Sequence, residues 1–382
     1  MTSSIKVPLF YPWITNADKK AMLDCMNSPI LSGGPKLKEF ELKFAKYTGS
    51  KYAIGVSNAT AALHISLLTL GIGKNDEVIV PDITFAASAN SVALTGAKPV
   101  CADVDETLNI SIKSIEQKIT KKTKAILPVH FAGFPAPMDK IKKIATKNNL
   151  SIIEDCAHAV GSFYQKKHVG TFGDTGCFSF FATKNLTTVE GGMITTNSKT
   201  IADTASKLRS HGIDKTLDQR YQNQSPWIYD ILIPGFNYKI DEPRCALGIS
   251  QLKRINTITK KRRNAASYYT SKLNNIPGIE VVNSKNTKGH VYHLFIIRVK
   301  EIFPLERNQL HKKLQENDIQ STLHYYPIHN FNYIKKQKIS EKDFPNSNSA
   351  AKECLTIPLY PTITKKQQDH VISTITKLSK GD

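Results

Sequence analysis

From about residue 50 onward, short apolar runs alternate with stretches of helical period. Tyr52–Val56, Glu77–Pro81, Lys98–Ala102, Ala125–Val129 and Ser151–Asp155 read as strands. Ala59–Leu70, Ala86–Leu94 and Met138–Lys147 read as the helices between them. Parallel neighbours need a crossover, usually a helix, so this alternation predicts a mostly parallel sheet with helices on both faces. Cys177–Phe181 and Gly192–Thr195 are further strands, after which the pattern changes. Glu242–Leu273 reads as one long helix or a broken pair. An edge-like strand (Val291–Val299), a helix (Leu305–Glu316), a strand (Ile319–Leu323) and a terminal helix (Thr364–Leu378) follow. The change predicts a large α/β domain over 1–255 and a smaller α+β domain over 256–382.

Composition alters this picture little. A chain of 382 residues, 40% apolar and 22% charged, suits a soluble two-domain protein with a sizeable core. The net charge of +20 comes from 52 basic residues, of which only eight are Arg. Lysines are spread along the chain in pairs such as Lys121-Lys122, Lys142-Lys143 and Lys166-Lys167. Nucleic-acid readers gather Arg and aromatics on one face, so a solvated Lys-rich surface is expected instead. Its field would still attract an anionic small substrate. The six cysteines show no C-x-x-C spacing and sit in apolar settings, so neither a zinc site nor a redox pair is expected. No signal pattern and no long apolar run appears, which predicts a reduced, cytoplasmic protein without a membrane span.

Four stretches fall just after predicted strands, where such sheets bind ligands. In Val56-Ser57-Asn58-Ala59-Thr60 a strand enters a helix whose N-terminus suits an anion, although Ser57 or Asn58 could simply cap it. In Ile152-Ile153-Glu154-Asp155-Cys156-Ala157-His158 an apolar strand ends in two acids and a His. Such a carboxylate suits a ligand cation, and it equally suits a cap. In Phe178–Met193 a hydrophobic strand delivers the single Lys184 into a loop closing on Glu190-Gly191-Gly192. A lysine in a dry site loses its proton readily, as imine formation requires. Gly235-Phe236-Asn237-Tyr238 opens the long helical region, and Asn237 is either a phosphate donor or a turn residue.

Taken together, and in this order, the stretches resemble the DegT/DnrJ/EryC1/StrS family of sugar aminotransferases, over essentially the whole chain. The most specific pieces are Ser57–Leu63, Val80–Asn90, Glu154–Ala159, Ser179–Gly192, Gly235–Tyr238 with Ala246–Leu252, and His324–His329. The resemblance implies the aspartate-aminotransferase-like (type I) fold of enzymes that use pyridoxal 5'-phosphate (PLP). It implies that Lys184 is the Schiff-base lysine and proton carrier. Asp155 would pair with the pyridine nitrogen and His158 would lie by the 3-oxygen. Ser179, Ala59 and Thr60 would cradle the phosphate, and Phe85 would stack on the ring. Asn237 would reach the phosphate from the partner subunit of a homodimer. The segment with His324, Tyr325 and His329 would lie by the sugar pocket, and the loop with Gly33 would border the nucleotide-sugar site. The family's substrates imply L-glutamate and a nucleotide-linked keto-sugar, here a UDP-linked N-acetyl sugar before GDP- or dTDP-linked ones.

Two other readings stay open. Relatives that deoxygenate sugars carry His in place of the lysine, and a non-catalytic binding protein could keep the fold. The chain also departs from the family pattern. Asp241-Glu242-Pro243-Arg244-Cys245 replaces the usual Asp-Ile-Gln-Ala-Ala, with Pro243 fitting a first helical turn. Val189 stands where Gly is frequent.

Overall fold

The computed structural model describes residues 6–215, 225, 227–285, 287–337 and 340–381. Its larger sheet uses β1 (Tyr52–Val56), β2 (Glu77–Pro81), β3 (Lys98–Ala102), β4 (Thr123–Ile126) and β5 (Ser151–Asp155). A two-residue-per-arm hairpin, β6 (Phe163–Tyr164) and β7 (Lys167–His168), precedes β8 (Thr175–Ser179) and β9 (Gly192–Thr196). The seven-stranded order is β1-β9-β8-β5-β4-β2-β3. All its strands are parallel except β9, which runs against β1 and β8.

Consecutive strand residues feed opposite faces, as the two-residue period requires. Val78 and Val80 join one hydrophobic cluster while Ile79 joins another. The helix Ala59–Thr69 buries every residue from Ala61 to Leu67, because it packs on the sheet and lies under other helices. On the other face Phe40 and Phe44, one turn apart on the helix Pro35–Thr48, meet Phe180 and Phe178 at 5.3 and 5.0 Å between ring centres.

A second sheet contains β10 (Ile279–Val281), β11 (Phe295–Val299) and β12 (Cys354–Ile357), all antiparallel. Here the sequence reading needs correction. The strand expected at an edge lies at the centre, β11 pairing on both sides. Ile319–Leu323 makes only isolated bridges, Ile319 to Val7 and Thr322 to Thr356, since its backbone bonds are split between two neighbours. The helical region is the broken pair, Glu242–Leu252 and Ile255–Leu273. At the break Arg254 turns its guanidinium to Asp18 at 2.6 Å and to the Trp13 carbonyl at 3.1 Å. Ile255 belongs to the cluster of Phe40 and Phe178, whereas Ala265, Tyr269 and Leu273 belong to that of the second sheet. Two helices before β1, Asn16–Met26 and Pro35–Thr48, precede the stretch where the alternation became readable.

Candidate active site

The C-terminal ends of β1, β2, β5 and β8 converge on a cavity of about 530 Å³. Each strand delivers its residues by a local device. Beyond β1, the Asn58 side chain accepts the Ala61 N–H at 2.8 Å and caps the helix Ala59–Thr69. That bond leaves the first-turn N–H groups of Ala59 and Thr60 at the positive end of the helix dipole. Gly192 pairs with Val56 on one side and Ser179 on the other. A Cβ there would lie 2.5 Å from the Asn58 carbonyl, so only glycine lets β9 pass beneath this helix start.

Asp155, at the end of β5, is buried and accepts from the Ala157 N–H at 3.0 Å and the Ser88 hydroxyl at 2.9 Å. Ser88 in turn meets the Thr84 hydroxyl at 2.7 Å, so the segment after β2 holds the carboxylate that β5 supplies. Burial pushes the Asp155 carboxyl above its ordinary value, against these two bonds and the nearby charge of Lys184.

Lys184 lies in a loop that leaves β8 and returns as β9. The loop is tied at its base, Thr188 N–H donating to the Phe180 carbonyl at 2.9 Å and Phe180 N–H to that of Gly191 at 2.8 Å. Burial lowers the amine to about 8, with Asp155 pulling the other way. The amine therefore gives up its proton far more readily than an ordinary lysine, with about a tenth of it neutral at pH 7. Around it His158, His293 and His324 are held neutral, by burial first and then by the charge of Lys184. His158 Nε2 and the Tyr325 hydroxyl share a 3.0 Å hydrogen bond, and His158 Nδ1 has no partner among the described residues.

Of the residues singled out in the sequence, Ala59, Thr60, Phe85, Asp155, His158, Ser179, Lys184, His324 and Tyr325 line this one cavity. Three do not. His329 is buried beside Asp82, Nδ1 to Oδ2 2.7 Å, and stacks on Phe344. That pairing and stacking tie the ring to its own loop, and it does not line the cavity. Gly33 and Asn237 lie elsewhere on this chain, Asn237 exposed and accepting from Lys239 at 2.5 Å. Sequence reading missed Phe10, Thr84, Ser88 and His293. The hydroxyls sat within the quoted Val80–Asn90 stretch, whereas Phe10 and His293 gave no local signal.

Glu154, adjacent to Asp155, points away from the cavity. It accepts from the N–H groups of Gly170, Phe172 and Gly173 at 2.7–2.8 Å and pairs with His130 at 3.0 Å. His130, Glu154 and Cys156 place donor atoms within 4.8 Å of one another. His130 and Glu154 are already engaged, His130 Nδ1 also accepting from Ala136 N–H at 3.1 Å.

The cavity thus holds an amine for an aldehyde, a buried carboxylate for a ring nitrogen and a helix start for a phosphate. That donor set fits PLP. Comparison with known proteins agrees. The model of the DegT/DnrJ/EryC1/StrS aminotransferase family matches residues 12–376. The spore coat polysaccharide biosynthesis protein SpsC of Bacillus subtilis is 38% identical over 379 residues, 98% of this chain and 97% of SpsC. Among solved structures, Helicobacter pylori PseC, an aminotransferase involved in the biosynthesis of pseudoaminic acid, has a TM-score of 0.92 at 27% identity. The match covers 99% of this chain and 100% of PseC. The PLP form of Spr1654 from Streptococcus pneumoniae has a TM-score of 0.91 at 29% identity, covering 99% of each chain. The chain therefore belongs to the DegT/DnrJ/EryC1/StrS family of sugar aminotransferases and is a PLP-dependent enzyme.

Proposed function

We propose that the enzyme moves an amino group from L-glutamate to a nucleotide-linked 4-keto-6-deoxyhexose, for surface-glycan or amino-sugar biosynthesis. A UDP-linked N-acetyl sugar is preferred, with GDP- or dTDP-linked sugars next. One observation carries the transaminase reading: the low-pKa amine of Lys184 and the buried carboxylate of Asp155 share one cavity. Lysine at that position favours amino transfer over deoxygenation, and the complete donor set argues against a non-catalytic role. SpsC and PseC, named for polysaccharide and pseudoaminic acid biosynthesis, support the glycan context.

Bound PLP supplies an electron sink for the carbon that gives up its proton. Lys184 tethers the cofactor, then carries that proton as a free amine. Asp155, oriented by Ser88 and Ala157, keeps the pyridine nitrogen protonated. The N–H groups of Ala59 and Thr60, with the Ser179 hydroxyl, hold the phosphate, and Asn237 of a second copy completes that cradle. Phe85, 60% exposed, would offer its ring for stacking on the cofactor, and His158 would sit beside its 3-oxygen. His324 and Tyr325 border the sugar. The net charge of +20 favours an anionic substrate.

The test is a panel of UDP-, GDP- and dTDP-linked keto-sugars offered with glutamate to wild type and Lys184→Ala. Wild type should aminate the UDP-linked N-acetyl sugar fastest, and the variant should neither turn over nor show the visible band of captured cofactor. Faster amination of another member of the panel would replace the substrate, and turnover by the variant would remove Lys184 from the reaction.

A further inference from the structure

His293 lies beyond the boundary read near residue 255, yet it lines the cavity that holds Lys184. Its side chain is buried, with Nε2 3.5 Å from Lys184 Nζ. That is long for a hydrogen bond, as catalytic contacts often are before a ligand tightens them. Its Nδ1 has no partner among the described residues. The contacts that hold the ring in place use neither ring nitrogen. His293 N–H donates to the Ala132 carbonyl at 2.9 Å, and Arg262 donates to the carbonyls of Tyr292 and His293 at 3.1 and 3.3 Å. Arg262 is itself buried, so these charge-assisted bonds act in a dry setting. Phe10 stacks on the imidazole at 6.0 Å, and the His158 ring lies 4.5 Å away. An imidazole is thus fixed against the amine by backbone and ring packing alone.

We propose that His293 is a further catalytic residue: its Nε2 holds the Lys184 amine, charged or neutral, and so fixes the direction in which that amine meets a carbonyl. The proposal rests on the reading of Lys184 as the cofactor's tether. An ammonium can only donate hydrogen bonds, and a neutral imidazole nitrogen is an acceptor. After proton loss the amine keeps an N–H for the same contact while its lone pair points into the cavity. Lys184, His158, Arg262 and His324 face His293, and with burial they keep its ring neutral. Asp155 is the charged group facing the amine.

Apoenzyme stripped of cofactor is mixed with PLP, and growth of the protein-bound visible band is timed across pH. The comparison is wild type, H293F, H293Q and H293N, with Lys184→Ala as control. Removing the acceptor in H293F should cut the plateau rate roughly tenfold and move the midpoint below the wild-type value of about 8. Gln, whose amide reaches about as far as the imidazole, should restore most of both, and the shorter Asn should not. A slower plateau with an unmoved midpoint means that the ring only fills space, and overturns the proposal. So does wild-type behaviour of H293F, or equal behaviour of Gln and Asn. Should H293F not fold, the Gln and Asn pair decides alone. A band that persists in Lys184→Ala removes the tether reading itself, an outcome distinct from any result at His293.

Discussion

Glu154 and Asp155 are chain neighbours with opposite fates. Strand alternation sends consecutive side chains to opposite faces. Glu154 meets three backbone N–H groups and His130, and these bonds hold its carboxyl below the ordinary value although burial alone would raise it. Asp155 receives two bonds and faces Lys184, and burial keeps its carboxyl raised. The same burial prepares the lysine. With the amine at about 8, the neutral form grows from about a tenth at pH 7 to about nine tenths at pH 9. Cofactor capture by apoenzyme should therefore accelerate across that window and level off above it. A rate still climbing steeply near the ordinary lysine value would mean that the site does not depress the amine. The sign follows from burial, which disfavours the ammonium and so favours proton loss.

At the scale of elements, the loop from β8 to β9 must aim Lys184 and then turn back within a few residues. Val189 does part of that turning at φ +70°, a conformation unfavourable for a β-branched residue. Its side chain is exposed, so nothing is lost from the core by removing it. Val189→Gly should stabilise the protein by about 1 kcal/mol, read as a raised midpoint in denaturant. A lowered midpoint would mean that the valine's contacts outweigh its strain. Pro243 behaves as the sequence suggested, occupying the first turn of Glu242–Leu252, and Asp241 caps that helix by accepting the Arg244 N–H at 2.9 Å. The unusual Arg244 also ion-pairs with Asp241 at 2.5 Å. Such local signals are legible because strand, cap and turn are decided by residues a few positions apart. The second sheet was less legible. β10 and β12 are short, and β12 reaches β11 only through chain closure across more than fifty residues. No neighbouring residue announces such a pairing.

At the scale of the whole molecule, the proposed site needs a second copy. The stretch preceding Asn237 exposes Trp227, Ile228, Ile231 and Leu232, and Phe85, Phe181 and Val189 are exposed at or beside cavity-lining positions. Subunit mixing tests the sharing. Lys184→Ala and Asn237→Ala chains, each poorly active, should on exchange form mixed dimers with one intact site. Activity should recover to about a quarter of wild type per subunit. Absence of recovery would place both residues' work within one chain. None of the described helices is long and apolar enough to cross a membrane.

The sequence by itself determined the alternating strands and helices, a helix start after β1 with Ser57 or Asn58 to cap it, and the placing of the Glu154-Asp155 pair and of Lys184 just beyond strands. Each depends on periodicity or turn chemistry over a few residues. Only the tertiary structure separated Glu154 from Asp155, turned His329 to Asp82 and brought His293 to Lys184 across 109 positions. Those outcomes depend on which burial and hydrogen-bond partners the packed chain provides, and residues distant in sequence supply them.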